Sequence, residues 1–146
     1  MKNKNLHTLL LLPLLAVCLL WTSGCATRLD SSISPGANLA KIESVFVKKL
    51  PADGRGIERL IAIELNSMGY KAVHGTVMPT DQVFDAIVEY QDKWMWDMTM
   101  YMLELRMQII EPTNRFTIAT GESYRTSLAR KTPENMVKEV LGEIFK

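Results

Sequence analysis

Residues 86–110 read AIVEYQDKWMWDMTMYMLELRMQII. Two runs with strand-like alternation, rich in Ile, Val, Tyr, Trp and Met, meet at Asp97-Met98. With a two-residue turn at that point, Trp96 faces Thr99, Trp94 faces Tyr101, Tyr90 faces Leu105 and Val88 faces Met107. The opposite face pairs Met95 with Met100, Gln91 with Glu104 and Glu89 with Arg106. Apolar pairs on one side and an opposite-charge pair on the other support this register. Neither Asp97 nor Met98 is the glycine that a two-residue turn prefers, so a longer loop stays open.

Strands are expected over 85–96, 99–111 and 116–127. Upstream, Ile42, Val45, Phe46 and Val47 mark a strand within 41–49, and Pro51-Ala52-Asp53-Gly54 ends it. Asp53 is placed to cap a helix whose apolar stripe is Ile57, Leu60, Ile61, Leu65 and Met68. Gly69 ends that helix, and 70–77 forms the next strand. Strand, helix, strand implies a parallel pair with a right-handed crossover. Thr132-Pro133-Glu134 opens a last helix, with Met136, Val137, Val140, Leu141, Ile144 and Phe145 as its buried stripe. The expected fold is α+β: a two-layer α/β sandwich, β-α-β-β-β-β-α, with a mixed sheet and two helices on one face.

Within the hairpin, Trp94 and Tyr101 are assigned to the helix-facing side as structural aromatics. Asp92 falls on that same face opposite Leu103, where it needs hydrogen-bond partners or a bulge. Gly121 is expected to mark a bulge or a close approach, relieving Glu122, which strict alternation turns inward. Met95, Trp96, Met98 and Met100 exceed what the alternation requires. Methionine is over-used on adaptable binding surfaces, so these four are the candidate partner-binding residues, with packing under the linker as the alternative.

The chain is 47% apolar with a formal charge of +1. This composition suits one globular domain and disfavours disorder. The apolar excess is concentrated at the start. Lys2 and Lys4 precede an apolar run over 6–20, and Thr22-Ser23-Gly24 leads to Cys25. That is the tripartite pattern of a secretory signal peptide. The run is short for a membrane-spanning helix. Removing 1–24 takes away both lysines, so the charge becomes −1. A nucleic-acid partner is disfavoured, since no basic stripe with interleaved aromatics remains.

The small residues before Cys25 resemble the lipobox of bacterial lipoproteins, with Thr22 standing where that motif usually has Leu. The resemblance implies cleavage before Cys25, which would carry a thioether diacylglycerol and an N-linked acyl chain such as palmitate. Several chains on one residue anchor a domain durably without a protein span. Cys18 leaves with the signal, so no intramolecular disulfide is possible. Ala26 follows the cysteine, where Asp would imply retention at the inner membrane. The expectation is therefore an outer-membrane lipoprotein facing the periplasm. Residues 25–40 read as the lipidated N-terminus and a linker, part of which could pack as an irregular arm. The single α/β domain then covers 41–146.

Catalytic signatures are sparse. His74 is the sole mature histidine, and zinc needs several His or Cys ligands. No nucleophile elbow, glycine-rich phosphate loop or metalloprotease motif occurs. Metal, cofactor and catalytic residues are therefore assigned to none, beyond the covalent lipid on Cys25. Glu89, Asp92, Asp97 and Glu104 cluster along the hairpin and would serve a glycan-cleaving enzyme only if paired across a cleft.

Tyr90, Asp92, Trp94, the run Trp96-Asp97-Met98-Thr99-Met100-Tyr101 and the Met136-Val137 helix resemble a family of small, poorly characterised lipoproteins of Gram-negative bacteria, over about residues 40–146. That family implies no assigned activity. The topology also resembles small envelope-assembly lipoproteins, including the lipopolysaccharide-transport plug lipoprotein, a likeness of fold and not of task. The leading expectation is a lipid-anchored periplasmic binding or scaffold module. It would dock an envelope protein partner through the 94–102 hairpin end or a sheet edge. A carboxylate enzyme on an envelope glycan and a carrier of an apolar ligand are the alternatives.

Overall fold

A computed structural model describes residues 27–146, so the expected signal segment and Cys25 lie outside the described residues. The strands are β1 Arg28–Ile33, β2 Ser44–Lys48, β3 Lys71–Gly75, β4 Ala86–Asp97, β5 Thr99–Ile110 and β6 Thr117–Tyr124. The helices are α1 Ile57–Ser67, between β2 and β3, and α2 Pro133–Ile144 after β6. All six described strands form one sheet in the order β1-β6-β5-β4-β2-β3. β2 is parallel to both β3 and β4, and the other pairings are antiparallel. The α+β class and the mixed sheet with two helices on one face agree with the expectation.

Both helices bury their apolar stripes in a single core. Ile57, Ile61 and Leu65 of α1 and Met136, Val140, Leu141 and Ile144 of α2 meet Val45, Val47, Val88, Leu105 and Met107 from the sheet. Thr132 Oγ1 accepts from Asn135 N at 3.3 Å, and Pro133 opens the first turn of α2. Gly69, at φ +97, closes α1 as expected. Phe145 is only partly buried and packs on Tyr70, ring centroids 4.8 Å apart.

Two expectations are corrected. The first concerns the linker over 25–40. Residues 28–33 form β1, whose whole length pairs antiparallel with β6 from Arg28↔Tyr124 to Ile33↔Ala119. An edge strand needs only backbone bonds on one side. RLDSSI therefore joins the sheet without the apolar alternation that marks a half-buried strand, and Ile33 stays 50% exposed. Ser31 Oγ donates to Glu143 O at 3.1 Å, tying the strand to α2.

The second concerns the hairpin register. Met98 alone occupies the tip, with Asp97↔Thr99, Trp96↔Met100, Met95↔Tyr101 and Trp94↔Met102 as partners. A shift between Lys93 and Trp94 leaves Leu103 as an extra residue on β5. Beyond it, Lys93 faces Glu104, Asp92 faces Leu105, Gln91 faces Arg106, Tyr90 faces Met107 and Glu89 faces Gln108. The body has slipped by two residues, which keeps every side chain on its face, and apolar patterning cannot detect such a slip. The tip has slipped by one, so Met95 and Met100 do not share a face, and neither do Trp94 and Tyr101.

At Gly121 the close approach is as expected, and it relieves Glu122 of the inward position. Gly121 faces α2 at a close approach, and Glu122 points to the open face, where it pairs with Arg28 and Arg106.

Candidate functional site

The site grows out of the overhang of β4 and β5. Lys93, Glu104, Tyr124 and Arg28 lie in one row across four strands, by the pairings Lys93↔Glu104, Glu104↔Tyr124 and Arg28↔Tyr124. Past that row only β4 and β5 continue. Five further residues at about 3.3 Å each carry Met98 roughly 16 Å beyond it. Met102 and Trp94, nearest the row, still pack on the core, but around the tip no further strand covers the side chains. Met95 is 42% exposed, Trp96 68%, Met98 88% and Met100 48%. The four candidate residues are thus brought together, wrapped around the tip on both faces instead of lying on one.

The overhang is braced. Arg130, in the connection from β6 to α2, donates from Nη2 to Asp97 O at 2.6 Å and to Asp97 Oδ2 at 3.1 Å. Its Nη1 donates to Thr99 Oγ1 at 2.6 Å, and its guanidinium lies 4.4 Å from the Tyr101 ring centroid. Tyr101 is buried with Arg130 over its ring and lies outside the core cluster beneath the helices. On the other side Arg55 sits 4.1 Å over the Trp94 ring, and Trp94 Nε1 donates to Asp92. Trp94 packs against the core, and Asp92 is half-buried.

Arg55 is itself placed by a buried network that sequence reading caught only at Asp53. That carboxylate accepts from Arg55 N at 2.6 Å, Gly56 N at 3.0 Å, Ile57 N at 2.7 Å and Tyr90 Oη at 2.7 Å. Tyr90 Oη in turn accepts from Leu50 N at 3.2 Å. Burial pushes Asp53 up, but the Tyr90 hydroxyl and the backbone donors outweigh it and hold the carboxyl far below its ordinary range. Burial, with the Asp53 charge beside it, pushes the Tyr90 phenol up.

Met98 has φ +59, a left-handed backbone that disfavours a side chain. Strain of this kind persists where the residue has a use. Met98→Gly should therefore raise stability by about 1 kcal/mol in urea unfolding. A lower midpoint would mean that Met98 contributes fold contacts outweighing the strain.

The carboxylates do not form a cleaving pair. Glu89 meets Lys48 at 3.2 Å and Arg115 at 2.8 Å, not Arg106. Burial alone would raise Glu89, yet Arg115 and Lys48 hold it below its usual range. Arg106 pairs instead with Glu104 and, at 2.9 Å, with Glu122. A groove of about 320 Å³ runs beside Lys48, Leu50 and Gln91 with Glu89 as its one acidic lining residue. His74 is exposed on edge strand β3. Among the described residues no group of three or more His, Cys, Asp or Glu could hold a metal, and no helix is long and apolar enough to cross a membrane.

No protein-family model and no curated protein matches the chain. Solved structures match at the level of fold. The PelC dodecamer from Paraburkholderia phytofirmans aligns with a TM-score of 0.60 and 14% identity, over 82% of this chain and 98% of that one. A point variant of the same dodecamer aligns at 0.59 and 14%, over 81% and 96%. A PDZ domain protein from Parabacteroides distasonis aligns at 0.50 and 8% identity, and the match spans 36% of that longer chain.

Proposed function

We propose that this chain is a lipid-anchored binding and scaffold module of the bacterial cell envelope, facing the periplasm at the outer membrane. Cys25 carries the lipid, and the hairpin end around Met95, Trp96, Met98 and Met100 docks the module on its target. The observation that carries the reading is the exposed, braced overhang. A soluble surface seldom presents this much contiguous apolar area without a use. Arg130 and Arg55 hold it in one shape, which lowers the cost of ordering it on contact. PelC, a dodecamer with a similar fold, supports a scaffold role, because that fold serves there as a repeating unit.

Two measurements test it in cells. Mass spectrometry of the mature N-terminus should find acylated Cys25, and Cys25→Ser should release the protein from the envelope fraction. A photo-crosslinker at position 100 should join the anchored protein to an envelope component, while one at the far-end residue 83 should not. A soluble wild-type protein would remove the anchor, and an unreactive position 100 would remove the docking surface.

A further inference from the structure

The pairing of β1 sets the distance between the anchor and the hairpin. Arg28 begins β1 in the same cross-strand row as Lys93 and Glu104, at the end of the sheet from which the hairpin projects. Only Ala26 and Thr27 separate it from Cys25. Three residue steps span at most about 11 Å. The hairpin runs roughly 16 Å past that row in the direction of its own tip. If Cys25 holds its acyl chains at the membrane plane, even a connector fully extended along the hairpin direction leaves the tip about 5 Å beyond that plane, on the membrane side. A less extended connector takes it deeper. Interfacial elements settle about 5–10 Å into the boundary between headgroups and acyl chains.

The side chains at this end suit that boundary. Trp96 is an interfacial aromatic, and Met95, Met98 and Met100 surround it with flexible apolar chains. Leu128 is 85% exposed in the Ser127–Ala129 turn, directly before the Arg130 that grips the tip. Lys93 and Arg55 are exposed behind the apolar tip, at the level where anionic headgroups would lie. The opposite end of the sheet also exposes apolar residues, Val83 at 92% among them. That end lies away from the anchor.

We propose that the occupant of the hairpin end is the bilayer itself: the tip at Trp96–Met100 inserts into the headgroup boundary of the membrane that holds the lipid on Cys25. This rests on the anchored-module reading above and names the target of its docking surface. Insertion gives the domain a second attachment point. It fixes the orientation of the sheet against the membrane and leaves the far end and the sheet edges turned to the periplasm for protein contacts.

The test uses the full processed lipoprotein in vesicles of phosphatidylethanolamine and phosphatidylglycerol. Cys25 has its sulfur in the thioether, so Met98→Cys and Val83→Cys each supply a single site for a nitroxide label. Collision with a water-soluble nickel chelate should be at least tenfold weaker at position 98 than at position 83, with oxygen collision correspondingly stronger. Adding Trp96→Ser should restore much of the chelate access at 98. Equal chelate access at 98 and 83 would overturn the proposal. Shielding of 98 only in vesicles that also contain envelope proteins would overturn it too, in favour of a protein partner, and would leave the docking surface standing. Failure of the protein to float with vesicles, with Cys25 free to react, would locate the failure in the anchor and take the proposal with it.

Discussion

Gly121→Val should cost more stability than any other substitution of one small residue in the domain, by about 3 kcal/mol or more. A Cβ at this position would sit 2.8 Å from Ile144 Cδ1, Ile144 Cγ1 and Val140 Cγ1. The end of Ile144 can swing aside, but Val140 is stiff about its first torsion and fully buried. Relief therefore requires α2 to lift from β6. The same helix buries Met136, Leu141 and Ile144 in the core and is tied to β1 through Ser31, so lifting one turn loosens several contacts together. Gly121→Ala should lose about 1–3 kcal/mol, and Ile144→Val in that background should recover part of the loss. Denaturant midpoints check the series. An unchanged midpoint for Gly121→Val would mean that helix and sheet are not in close contact at this position.

Asp53→Ala should lose about 3 kcal/mol, because it strands the backbone donors of Arg55, Gly56 and Ile57 and the hydroxyl of Tyr90. It should also free the loop that holds Arg55 over Trp94, weakening the brace at the root of the hairpin. The pH dependence follows from the depressed Asp53 carboxyl. A group held lower in the folded state than in the unfolded chain contributes its stability above the unfolded value near 3.8, and loses it as pH falls toward the folded value. Wild type and Asp53→Ala should therefore differ fully at neutral pH and converge progressively below about pH 4. Tyr90 acts in the opposite sense. Its phenol is raised, so that contribution is present below pH 10 and lost above it. Tyr90→Phe should lack the alkaline loss. A constant gap between wild type and Asp53→Ala from pH 7 to acid would show that the neutral carboxyl serves as well.

Much of the fold can be read from residue order alone, and the reason is local. The stripes of α1 and α2 follow a period that one helix face imposes, and Gly69, Thr132 and Pro133 mark helix ends through their own backbone and side-chain chemistry. The strand, helix, strand unit over 44–75 follows from connection rules that need no distant partner. Cys25 and the apolar run before it carry the anchor reading in the same way, since an export signal is read as an extended segment and not as a fold.

β1 was not legible, because RLDSSI owes its place to the backbone groups of β6 and not to its own apolar pattern. The hairpin register was not legible either. Around Met95–Met102 both faces are apolar, so no slip exposes a penalty, and Leu103 is accommodated as a bulge whose carbonyl accepts from Arg125 N at 2.7 Å. Arg130 and Arg55, which brace the site, are 29 and 39 residues from the rings they cover, and nothing near them in the chain announces that contact.

Residue order thus specified the class of fold, the helix faces and which side chains are in excess at the hairpin. Packing settled where that excess points. β6 and β1 stop at the row of Lys93 and Glu104, β2 and β3 stop before it, and Arg28, at the start of β1, stands in that same row. Burial and exposure are properties of what lies alongside a residue in space. Trp94 and Trp96, two positions apart on one strand, therefore end as a residue partly buried against the core and an exposed one.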